Sequence, residues 1–339
     1  MKPPYFHADD MTIETQAGQR LMVGFDGTEA HEEIRSLVRA LGIGGVILFS
    51  GNISSPGQLR HLCRSLQQDA RQAGLPPLFI AVDQEGGPVV RLKAPFTSIP
   101  AAATLKSEES VQHYAQITAE ELGGVGINMN MAPVLDIAPD DIQSIMRERS
   151  YGSDPGTVSR LGSLVIDALQ ANGIMAVAKH FPGIGRTILD SHLDMPALDA
   201  ELDSLAKFDL VPFRAAIGRN VSGIMLSHIF YPQVDPEWPA SLSPRIAANL
   251  LRRNLGYRGL ILTDDLDMGA IKKHFALPTV IRQIMTADID IALICHKGPD
   301  IENAYAEILA LLRKDPDLHA AGKESVKRIL RLKQRYLTH

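Results

Sequence analysis

The chain has 339 residues, is 45% hydrophobic with mean hydropathy near zero, and carries 34 basic and 39 acidic residues for a formal net charge of −5. Such a composition describes a globular protein with a sizeable core, and the even spread of charge leaves no basic stripe for nucleic acid or an anionic membrane. No apolar run approaches the ~20 residues that span a bilayer. The opening segment "MKPPYFHADDMTIETQ" lacks the apolar centre of a signal peptide, so the cytoplasm is the expected compartment. The only two cysteines, Cys63 and Cys295, stand in an apparent helix and an apolar run, and are expected as reduced buried thiols.

In chain order, eight apolar runs alternate with amphipathic segments: "LMVGF" (21–25), "GGVILFS" (44–50), "LFIAVDQ" (78–84), "INMNMAPVLD" (127–136), "MAVAKHF" (175–181), "GIMLSHI" (223–229), "GLILTDD" (259–265) and "IDIALICH" (289–296). Near-continuous apolar strands suit a parallel sheet covered on both faces, and eight of them with helices between predict an α/β fold, a single (β/α)8 barrel of the TIM type. Among the helices, Ser55-Pro56 and Ser243-Pro244 read as a cap followed by a first-turn proline, with Gly256 as a stop after the second. The last helix carries Val326, Ile329, Leu330 and Leu332 at near-helical spacing and is expected on the barrel exterior. No linker or repeat divides the chain, so residues 1–339 are expected to form one catalytic domain.

A barrel of this kind places its active site at the carboxyl ends of the strands. There the sequence sets Asp83, Asp136, Lys179 with His180, His228, Asp264 with Asp265, and His296. Each has an ordinary reading alone: an aspartate after a strand can cap a helix, and a strand-end histidine can bond to backbone. Charged groups are rarely buried unpaired, however, and their recurrence at six strand ends points to one polar cavity and to an enzyme. No glycine-rich phosphate loop occurs and the histidines lack zinc-ligand spacing, so neither cofactor nor metal is expected. What remains is a carboxylate with proton-donating loop groups, a set suited to glycoside hydrolysis. The expected partner is a small carbohydrate substrate, with no nucleic acid and no membrane, and the pattern sets no oligomeric state.

At this point the motifs "DQEGGPVVRL" (83–92), "APVLDI" (132–137), "ERSYGSDP" (148–155), "KHFPGIGRTILDSH" (179–192), "PASLSPRI" (239–246) and "GLILTDDLDMGA" (259–270) resemble, in order and over most of the chain, those of family 3 glycoside hydrolases. More narrowly they resemble its single-domain β-N-acetylhexosaminidase branch, whose fold is also a (β/α)8 barrel. The resemblance implies a retaining enzyme in which Asp264 is the nucleophile and Asp265 a structural neighbour. It further implies that Asp83, Arg149, Lys179 and His180 hold the sugar, that His228 lines the pocket, and that His192 with Asp190 forms the acid/base dyad. An aspartate bonded to an imidazole would fix its tautomer, and Gly183 and Gly185 would let the loop bend. The plain alternative for the loop is a turn-capping Asp190 and a solvated His192. Ile184, Pro88 and Gly51 depart from the family wording, which has histidine, arginine and arginine there. The expected reaction is hydrolysis of terminal β-linked N-acetylglucosamine from small soluble glycosides, cell-wall muropeptides among them. A β-glucosidase, a β-N-acetylglucosaminide phosphorylase, and a barrel that binds sugar without cleaving it stay open as alternatives.

Overall fold

The computed structural model describes residues 6–187 and 195–337, and in it all eight apolar runs contribute strands. These are β1 (Leu21–Val23), β2 (Gly45–Leu48), β3 (Phe79–Val82), β4 (Met129–Asn130), β5 (Met175–Phe181), β6 (Gly223–Leu226), β7 (Leu260–Asp265) and β8 (Ile291–Ile294). They pair in parallel in sequence order, and β8 closes on β1 with Leu21 beside Ala292, giving the expected closed barrel. Alternation sorts the side chains. Met22, Ile47, Phe79, Ala81, Met175, Met225, Leu262 and Leu293 fill the barrel interior, while Val23, Val46, Ile80, Ala176 and Ile224 pack outward under the helices.

The paired strands are shorter than the apolar runs. In the fourth run only Met129 and Asn130 stay in the regular ladder; beyond them Pro133 has no N–H to give, and pairing with β5 continues irregularly through the Val134–Lys179 bridge. Both helix-start signals act as read. Ser55 Oγ accepts from the Gln58 N–H at 3.2 Å to open the helix Pro56–Gln72, and Ser243 Oγ accepts from the Ile246 N–H at 3.0 Å to open Arg245–Asn254. Gly256 ends the latter segment at φ +68°. Cys63 and Cys295 are free and buried. Among the described residues no helix is long and apolar enough to cross a membrane.

One expectation needs correcting. The last helix, Pro316–Leu337, closes the amino-terminal mouth of the barrel rather than lying only on its flank. Its Ile329 joins the interior cluster, and the buried Lys333 ammonium donates to Gln19 Oε1 at 2.7 Å and to the Gly44 carbonyl at 2.8 Å, both just ahead of strands. The helix covers that mouth, and the cavity lined by Asp83 and Asp264 opens at the carboxyl ends of the strands.

Candidate active site

The chain continues past β3 in extended form, so Asp83 and Glu85, two residues apart, face the same way into the barrel mouth. Lys179, near the end of β5, meets them both: Nζ lies 2.7 Å from Asp83 Oδ1 and 2.7 Å from Glu85 Oε1. Arg149 forks onto the far side of Glu85, with Nε and Nη2 each 2.8 Å from a carboxylate oxygen. Arg91 reaches Asp83 at 3.3 Å and lies over the Phe49 ring. Burial alone would raise the Glu85 carboxyl, but the Lys179 and Arg149 cations outweigh it and hold the group down at about 2. Burial likewise opposes the charge on Lys179, and Asp83 with Glu85 reverses this and holds its ammonium above the ordinary range. The result is a preorganised lattice of fixed charges able to direct sugar hydroxyls.

Asp264, near the end of β7, shares the cavity with that lattice. Its Oδ1 accepts from the Asp265 N–H at 2.8 Å. Burial pushes its carboxyl up, but the His228 and His180 imidazoles and the Lys179 ammonium hold it below the ordinary value, so it is an ionised carboxylate at neutral pH. Asp265 differs: burial raises it, and its Oδ1 accepts from the N–H groups of Cys295 (3.0 Å) and Asp267 (3.1 Å), tying the ends of β7 and β8 together. The cavity holds about 270 Å³, just below the ~300–1,000 Å³ usual for ligand sites. Phe49, Ile184, Met225 and Met268 give it apolar walls. A second cleft of about 300 Å³, lined by Ser222, Tyr257 and several arginines, lies against the last helix at the opposite end and holds none of these carboxylates.

Asp83, Arg149, Lys179, His180 and Asp264 therefore converge on one cavity. His228, expected to line the pocket, is not among the described residues that surround it but acts electrostatically on Asp264. That side chain is buried behind the β7 end, with Nε2 2.8 Å from the Asp265 carbonyl and Nδ1 2.7 Å from Ser241 Oγ. Because a carbonyl can only accept, Nε2 carries the proton and His228 buttresses the Asp264–Asp265 turn from behind. The dyad positions Asp190 and His192 lie outside the described residues. The glycines at the start of their segment are closely packed: a Cβ on Gly185 would lie 1.8 Å from the Ile137 carbonyl oxygen, and one on Gly183 would lie 2.8 Å from Asp209 Cβ, while the φ of +132° at Gly183 is a backbone conformation that favours glycine. Arg186 then fastens the segment to Asp209 at 2.6 Å.

Two residues at the site were not assigned from the sequence. Glu85 stands in the quoted "DQEGG" motif, and its spacing from Asp83 was the available signal. Asp136 was noted as a strand end without a role; it is wholly buried behind His180, with Oδ2 2.7 Å from Nδ1 of that ring. Among the described residues one cluster, Asp265, Asp267 and His296, has metal-ligand spacing, with candidate atoms within 4.8 Å of one another. Lys272 already supplies a cation there, 2.5 Å from Asp267 Oδ1, and backbone N–H groups occupy oxygens of both aspartates. Gly51 faces open space, and a Cβ added there would meet nothing within 4 Å.

The pattern described as the glycosyl hydrolase family 3 N terminal domain matches residues 12–332. The chain belongs to glycosyl hydrolase family 3. It is 37% identical over 306 residues to a beta-hexosaminidase of Alkalilimnicola ehrlichii, covering 88% of this chain and 84% of that one. It is also 35% identical over 320 residues to a beta-hexosaminidase of Idiomarina loihiensis, covering 92% of each. Among solved structures, a family 3 beta-N-acetylglucosaminidase from a Paenibacillus species superposes with a TM-score of 0.92 at 37% identity, covering 97% of this chain and 63% of that longer one. A beta-N-acetylhexosaminidase from Beutenbergia cavernae superposes at 0.87 and 28% identity, covering 96% and 99%. As a family 3 member, the chain is a glycoside hydrolase built on a (β/α)8 barrel.

Proposed function

We propose that residues 1–339 form one catalytic unit, a retaining exo-β-N-acetylglucosaminidase that releases terminal β-linked N-acetylglucosamine from small soluble glycosides. The observation that carries this reading is the placement of the ionised Asp264 carboxylate in a cavity of monosaccharide scale shared with the Asp83, Glu85, Lys179 and Arg149 charge lattice. The beta-hexosaminidase relatives and the N-acetylglucosaminidase neighbour support the choice of sugar. In the first step Asp264 attacks the anomeric carbon as the bond to the leaving oxygen breaks, forming a glycosyl ester, while His192 delivers a proton to that oxygen. Water, deprotonated by His192, then attacks the same carbon and releases Asp264, so two inversions retain configuration. Asp190 orients the imidazole and stabilises its charged form. We assign the muropeptide fragments of cell-wall turnover as the natural glycosides and the cytoplasm as the compartment.

Aryl N-acetyl-β-glucosaminide tests the reading directly: chromophore release is expected, with much slower release from the aryl β-glucoside and no acceleration by inorganic phosphate. Preference for glucoside would make the protein a β-glucosidase, phosphate dependence a phosphorylase, and affinity without turnover a binding protein.

His192→Ala separates acid catalysis from binding. Proton delivery accelerates by about 10²–10⁴-fold only where the leaving group needs it. The variant should therefore lose far more rate on an alkyl glycoside than on a nitrophenyl glycoside. Equal losses on both would remove His192 from the acid role.

A further inference from the structure

We infer that Asp136 is a positioning residue that sets the proton on the sugar-facing His180 and, through the same carboxylate, anchors the start of the segment that carries the proposed acid/base dyad. The second half of this assignment rests on the proposed function; the first does not.

The geometry is that of one acceptor group serving three donors. Asp136 is 0% exposed, and its Oδ2 lies 2.7 Å from His180 Nδ1 and 3.2 Å from the His180 backbone nitrogen. Its Oδ1 takes the Ile184 N–H at 2.7 Å. Ile184 is separated from Asp190 only by Gly185, Arg186, Thr187, Ile188 and Leu189. A carboxylate only accepts, so a neutral His180 must carry its proton on Nδ1, leaving the Nε2 lone pair for the cavity that the ring lines. This inverts the polarity His180 would otherwise offer a sugar hydroxyl. No other side chain of this size accepts at both oxygens, which accounts for an aspartate among the buried Val134, Leu135, Ile137 and Phe181.

Asp136→Asn separates the two tasks. An amide has one accepting oxygen and one donating nitrogen, and the Ile184 backbone N–H cannot relocate its proton whereas an imidazole can. The asparagine oxygen therefore turns to Ile184, where it also stays within 3.4 Å of the His180 backbone N–H, its NH₂ faces His180 Nδ1, and the ring proton moves to Nε2. The segment stays anchored while the group facing the sugar reverses from acceptor to donor.

The test is a ¹⁵N spectrum of histidine-labelled protein at about pH 8.5, where imidazole is neutral, with the His180 signal identified by its loss in His180→Ala. Wild-type protein is expected to carry the His180 proton on Nδ1 and Asp136→Asn on Nε2. On an aryl N-acetyl-β-glucosaminide, Asp136→Asn should raise KM about tenfold or more, with a smaller change in kcat, and should add nothing to KM in the His180→Ala background. Asp136→Ala, which also frees Ile184, should lower kcat as well. A wild-type proton on Nε2 overturns the assignment without any variant, so a poorly folding substitution does not shield it. An Asp136→Asn effect on KM that persists undiminished without His180 overturns it too. If the protein proved inactive, the spectra and a titration with N-acetylglucosamine would still decide the His180 half.

Discussion

Replacing Asp264 by alanine is expected to lower kcat by about 10⁴-fold or more, the loss that follows removal of a nucleophile, while leaving unfolding nearly unchanged. The side chain is half-buried at the cavity rim and, among the described residues, makes one hydrogen bond, to the N–H of its own neighbour, so its removal opens no core void. Its ionised state makes it fit to attack: the surrounding imidazoles and the Lys179 ammonium outweigh the burial that would otherwise keep it protonated. Asp265→Ala should behave in the opposite way. Losing the acceptor shared by the Cys295 and Asp267 N–H groups leaves buried donors unmet and costs about 1–3 kcal/mol. Steady-state kinetics and urea unfolding on the two variants check both halves, and a reversed ranking of activity would move the nucleophile to Asp265.

The second large effect is expected at Glu85, the residue on which the sugar-binding lattice turns. Glu85→Ala leaves the buried Lys179 with Asp83 alone and removes both hydrogen bonds that orient Arg149. Breaking a buried pair from one side costs about 3–5 kcal/mol, and the displaced cations should raise KM about tenfold or more. The pH dependence has a definite sign. Because folding lowers the Glu85 carboxyl from 4.5 to about 2, its contribution is complete above about 4.5 and is lost as pH falls toward 2. The stability gap between wild type and Glu85→Ala, measured by urea unfolding, should therefore shrink progressively below about pH 4.5. A gap that does not change with pH would show that the lattice is not held by this charge.

These residues also mark how far the sequence could be read. The barrel was legible because strands buried on both faces become apolar runs, and all eight appear in the ladder. The runs overstate the strands because a hydrophobic pattern does not register where regular pairing gives way to irregular bridging, as it does past Asn130. Asp83, Lys179 and Asp264 were legible as charges at strand ends. Glu85 was not, because it stands past the end of the apolar run, although period-two alternation carries on through "DQE". His228 shows a different gap: position along a strand does not say on which side of the next strand's end a side chain settles, and its partners Ser241 and Asp265 are 13 and 37 residues away. Gly183 and Gly185 illustrate a third, since a sequence shows glycine but not the carbonyl or side chain pressed against it. The last helix was misplaced for a similar reason, its Ile329 and Lys333 meeting barrel residues remote in sequence.

The claim on which the rest depends is that Asp264 becomes covalently bonded to the sugar. A fluorinated N-acetylglucosaminyl fluoride tests it, because the ring fluorine slows both steps while the fluoride leaving group restores the first, so the ester accumulates. Mass spectrometry of the digested protein is expected to show one added glycosyl unit on the peptide containing Asp264, absent from Asp264→Ala, with the β-anomer formed first from ordinary substrate. An adduct on any other residue, or an α-anomer formed first with no adduct at all, would contradict the account.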